Sequence, residues 1–153
     1  MPLQHDAGAP SIVASLGRIK EVAEYQKSLY DDLTKKIEQI DERLSELNPG
    51  VEVKVELPKL DTAESGNGAS AVTDYVGFHR GPKGWHLHYL RRHNDKNKVV
   101  YYQLLTEARR DFQIRAVEHF PRLMEEIAQQ TEYRTDEIRN SLDLAQSIAD
   151  SLT

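Results

Sequence analysis

The chain contains no cysteine. That excludes a disulfide framework, thiolate metal sites and a cysteine nucleophile. Long hydrophobic runs are missing too: nothing approaches the ~18 apolar residues of a membrane-spanning helix. The opening MPLQHDAGAP lacks the basic-then-apolar order of a secretory signal. Neither a Gly-x-Ser-x-Gly elbow nor a Gly-x-x-x-x-Gly-Lys-Ser/Thr phosphate loop occurs. Paired acids at Glu125–Glu126 and Asp136–Glu137 fall on polar faces of expected helices, a poor setting for general acid–base work. Arg115 and His119, four apart, read as an interaction along a helix surface. These absences favour a cytoplasmic, non-enzymatic protein that works without a cofactor.

What is present suits long helices. The 153 residues are enough for one domain with its own core, and 29% of them are charged against 39% apolar. Aromatic residues, 7% of the chain, cluster between Tyr75 and Tyr102, where the densest packing is expected. The net charge of −5 conceals an asymmetry: between His79 and Lys98 six basic residues stand against the single acid Asp95. A local basic patch of this kind focuses field on one surface of an acidic protein.

Residues 1–10 read as a disordered arm and 11–153 as a single domain. Ser11 is the expected N-cap of a helix that runs to Leu47, where Asn48, Pro49 and Gly50 end it. Its apolar positions are Ile12, Leu16, Ile19, Ala23, Gln26, Tyr30, Leu33, Ile37, Ile40, Leu44 and Leu47, and only Gln26 is polar. The steps alternate four and three without a break, the signature of a coiled-coil seam. The rod spans roughly 54 Å, longer than a small core needs. Part of the seam is available for pairing between subunits, with Gln26 as a register-fixing polar residue; the alternative is a partner helix in the same chain.

VEVKVEL at 51–57 alternates as a half-buried strand that Pro58 closes. Residues 58–73, rich in small and polar types, read as a mobile loop. Residues 74–92 form a hairpin around GPKG. An even loop sets Gly81 against Gly84, Arg80 against Trp85, His79 against His86 and Gly77 against His88. Cross-strand partners share a face. Val76, Phe78, Arg80, Trp85, Leu87 and Tyr89 thus take the buried side, and Tyr75, Gly77, His79, His86, His88, Leu90 and Arg92 the other. VVYYQL at 99–104 reads as a short strand. Residues 106–152 are helical, with Thr106 as the first N-cap, a break near Pro121 and Thr135 as the cap of the final helix. The expected fold class is α+β: a long coiled-coil-like N-terminal helix, a three- or four-stranded antiparallel sheet, then two C-terminal helices packed antiparallel to the first.

The candidate ligand-binding set is Tyr75, His79, Lys83, His86, His88, Arg91 and Arg92. Imidazoles and guanidinium forks on one sheet face suit an anion. The sequence therefore points to an interaction protein that is a homodimer through its long helix and shows this face to an anionic protein or a nucleotide-type ligand. One alternative is a nucleic-acid binder using the basic hairpin. A second is a metal-dependent enzyme ligated by His79, His86 and His88, against which the same face lacks an orienting carboxylate.

Overall fold

The computed structural model describes residues 3–59, 72–95 and 98–153, with residues 3–10 in backbone only. The order is α1 (Leu3–Leu47), β1 (Val53–Glu56), β2 (Val72–Gly81), β3 (Gly84–His93), β4 (Lys98–Leu104), a 3-10 turn (Leu105–Glu107), α2 (Arg110–Glu118) and α3 (Phe120–Leu152). This is the expected α+β class, with all four strands antiparallel in the order β1-β2-β3-β4. The chain divides into two compact units, Met1–Lys36 and Ile37–Thr153, where a single domain was expected over 11–153.

The first unit is the N-terminal part of α1. The helix starts at Leu3, so Ser11 is an interior residue and residues 3–10 are helical instead of a disordered arm. Ala7 and Ala9 favour helix and Gly8 and Pro10 oppose it, so propensity alone does not account for the extension. Residues 11–29 are all exposed, the seam positions Ile12, Leu16 and Ile19 included.

In the second unit the sheet's inner face carries Val53, Val55, Val76, Phe78, Leu87 and Tyr89, all buried. Phe112 of α2 stacks on Tyr89 with ring centres 4.3 Å apart, and Phe120, Leu123 and Ile127 of α3 are buried as well. Trp85 stacks on Phe78 at 5.7 Å but is only half-buried. The hairpin register is the expected one throughout, from Gly81↔Gly84 to Gly77↔His88. Gly84 takes the left-handed φ of +100° that closes the turn and that favours glycine. A bulge between Arg91 and Arg92 sets Arg91 against Tyr101 and Arg92 against Val99.

The last turns of α1 dock on this sheet. β4 pairs with β3 only from His88 onward, which leaves Gly84–Leu87 at an open edge. Asp41 Oδ1 accepts the Leu87 N–H at 2.6 Å, and Ser45 Oγ donates to the Trp85 carbonyl at 2.6 Å. Two side chains one helical turn apart thus satisfy backbone groups that a strand would otherwise take.

Boundaries elsewhere move for identifiable reasons. β2 starts at Val72, two residues ahead of the expected hairpin; residues 60–71 of the expected mobile loop lie outside the described residues. Thr106 sits in the 3-10 turn, and α2 begins at Arg110. The helical break falls at His119, because Pro121 suits the first turn of α3. Thr135 caps nothing: its hydroxyl donates back to the Thr131 carbonyl within an unbroken α3. Among the described side chains of α1, Ile37, Asp41 and Leu44 are buried, and residues 132–152 of α3 are exposed.

Candidate ligand-binding face

The outer face of the sheet gathers Lys54 and Glu56 from β1, Tyr75, Gly77 and His79 from β2, His86, His88, Leu90 and Arg92 from β3, and Tyr102 from β4. Strand alternation fixes this membership, and the bulge keeps Tyr102 beside Leu90.

At one end Tyr75 lies between two cations. Lys54 Nζ stands 4.6 Å from its ring centre and the Arg92 guanidinium carbon 6.0 Å, both within cation–π reach. The Arg92 Nε is buried without a hydrogen-bond partner. Neither Lys54 nor Arg92 belongs to an ion pair among the described residues.

In the middle, His88 stacks on Tyr102 at 4.6 Å and tilts against His79 at 5.8 Å. His88 is 3% exposed, and its Nδ1, like the Nε2 of His79, has no partner. The His79 ring folds over Gly77, whose missing side chain makes the room. Burial pushes both imidazoles below the ordinary histidine value, and for His88 the neighbouring His79 adds to the effect. That direction favours their neutral form over a contribution to the basic field. A cavity of about 240 Å³ opens beside His88, lined also by Pro82, Lys83, His86, Tyr102 and Leu104.

Three residues of the expected set leave it. His86 turns to α1, with Nδ1 2.7 Å from Asp41 Oδ2 and Nε2 3.0 Å from the Lys83 carbonyl. Lys83 pairs with Glu107 at 3.6 Å on the surface. Arg91 projects to the inner face, where its Nε and Nη2 donate to Asp74 at 2.7 and 3.0 Å. Among the described residues no three metal-ligating groups converge, His79, His86 and His88 included.

The densest polar constellation was not anticipated. Asp74, 6% exposed, accepts from Arg91, from the Tyr89 hydroxyl at 2.7 Å and from Arg115 Nη1 at 2.6 Å. Arg115 Nη2 continues to the Pro58 carbonyl at 2.6 Å. Burial raises the Asp74 carboxyl, but the donors Arg91, Tyr89 and Arg115 outweigh it and hold it below the ordinary carboxylate value. Burial, then the hydrogen bond to Asp74, push the Tyr89 phenol well above its usual value. The arrangement ties α2 to the sheet and to the end of β1. Lys54 and Tyr102 were also missed; alternation within VEVKVEL places Lys54 on the polar side, and pairing with β2 would have brought it to Tyr75.

No helix among the described residues is long and apolar enough to cross a membrane. Compared with models of protein families, with curated proteins and with solved structures, the chain has no match.

Proposed function

We propose that this is a non-enzymatic binding protein of the cytoplasm that self-associates as a homodimer through α1 and presents its outer sheet face to an anionic partner. The partner is an acidic protein surface or a nucleotide-type ligand, met by Lys54, Tyr75 and Arg92. The observation that carries the reading is the exposure of the N-terminal part of the seam: Ile12, Leu16 and Ile19 are 62%, 60% and 62% exposed along a helix whose four-three spacing carries a single polar position, Gln26. Each such side chain left in water forgoes roughly 1.5–3 kcal/mol of burial. A second helix of the same period recovers it. Support for the anionic partner is the pair of cations flanking Tyr75, neither of them in an ion pair among the described residues, with Glu56 opposite Tyr75 as the acid of that end.

Sedimentation equilibrium across a hundredfold range of protein concentration tests the assembly. Wild type is expected to sediment as a dimer and Ile19→Asp as a monomer. A monomeric wild type overturns the reading. The face is tested by microscale binding of ATP and of a poly-glutamate peptide, each expected to weaken at least tenfold in a Lys54→Ala, Arg92→Ala double variant.

A further inference from the structure

We infer that α1 pairs with α1 of a second copy in parallel and in register over Ile12–Leu33, with the two Gln26 amides hydrogen-bonded to each other. The inference rests on the self-association proposed above and fixes its direction.

Set out in heptads, Leu16, Ala23 and Tyr30 occupy one seam position, and Ile12, Ile19, Gln26 and Leu33 the other. The flanks are unequal. Lys20 and Lys27 line one side of the seam, Val22 and Leu29 the opposite side, and the acids Glu21, Glu24, Asp31 and Asp32 all fall on the outward positions. In a parallel pair each flank meets the partner's opposite flank. Val22 then lies against Lys27 of the partner subunit, whose methylene stem covers it while the ammonium reaches water. No like charges meet.

An antiparallel pair brings like flank to like flank. Stacking the two seams over the same span sets Leu16 against Leu33 and Ala23 against Gln26 of the partner subunit. Lys20 then approaches Lys27 of the partner subunit, twice by symmetry. Each Gln26 amide faces a methyl group with no donor or acceptor to meet it, also twice. Val22 would pack on Leu29 of the partner subunit, but that only replaces cover which the parallel form already gives it. The only polar residue of the seam is satisfied when it meets itself, and only an in-register parallel pair gives it that layer with the lysines kept apart.

The natural absence of cysteine makes the test direct. Leu16 is exposed in the single chain, so Leu16→Cys does not disturb its folding. In the parallel pair, mild oxidation is expected to link more than half of Leu16→Cys protein to itself. In the antiparallel pair the two positions stand about 25 Å apart at a 1.5 Å rise, far beyond disulfide reach. There an equimolar mixture of Leu16→Cys and Leu33→Cys links instead, and Leu16→Cys alone does not. That result, from a protein that sediments as a dimer, overturns the direction and leaves self-association standing. A monomer in the ultracentrifuge overturns both.

Discussion

Asp41 and Leu87 are joined across forty-six positions of sequence by one short bond from the strand's N–H to the helix's carboxylate. The same carboxylate takes His86 on its other oxygen, where both ring nitrogens of His86 face acceptors. The last turns of α1 are thereby fixed to an edge of the sheet that β4 does not reach. Asp41→Ala is expected to leave the Leu87 N–H buried and unpaired, at a cost of about 1–3 kcal/mol. Asp41→Asn keeps one acceptor and should lose less. Urea unfolding followed by Trp85 fluorescence measures both.

Among the described residues Asp74 is the one carboxylate that pairs with two guanidinium groups, both part-buried. Replacing it with alanine strands both charges and is expected to cost about 3–5 kcal/mol. Arg91→Met removes one of them and should cost less, since Asp74 keeps Arg115 and Tyr89. Thermal melts of the two variants order them.

Stability should fall as acid is added, in two stages. His79 and His88 are held below their ordinary value of 6.5, so the unfolded chain binds protons there that the folded chain refuses. Their contribution is complete above pH 6.5 and is lost as pH falls through the lowered folded-state values. Asp74 acts alike further down: its contribution is complete above its ordinary 3.8 and is lost as pH falls through its depressed folded value. A His79→Phe, His88→Phe double variant should remove the first stage and keep the second, read as unfolding free energy from pH 8 to 3.

Gly77→Ala places a methyl group on the His79 ring and 2.8 Å from the Val53 carbonyl oxygen. The ring can swing away but the β1 backbone cannot, so overpacking of about 1–3 kcal/mol is expected. Gly17→Ala meets nothing within 4 Å and serves as the control; it should be neutral or slightly stabilising through helix propensity. Equilibrium denaturation distinguishes the pair.

The hairpin was legible because its register is a local matter. GPKG leaves two residues between Gly81 and Gly84, and once that turn is even, alternation sorts every side chain from Val72 to His93. The same alternation assigns Arg91 to the side of Tyr89; it joined the expected set on charge alone and is found where its parity puts it. What the sequence concealed is long-range. The even turn already sets Asp74 opposite Arg91, but Arg115 reaches them from a helix, and no spacing rule links it to the hairpin. The turn of His86 away from His79 likewise depends on Asp41, a residue that reads as an ordinary helix-surface acid until the helix is docked. Helix starts and stops moved for a different reason: Ser11, Thr106 and Thr135 are all competent caps, and capping side chains mark where a helix can begin, not where it must.

The grip of α1 on β3 has a built-in length limit. From Asp41 to Ser45 the helix climbs about 6 Å, and from Leu87 back to Trp85 the strand descends about 6.8 Å, so one step of each nearly coincides. A second step would compare about 12 Å with about 13.6 Å, and the third side chain would miss its carbonyl or amide by more than a hydrogen bond tolerates. Two rulers with different gradations agree at one mark only. A helix can therefore stand in for a missing strand across a single turn, and an edge left open for longer than Gly84–Leu87 would need a real one.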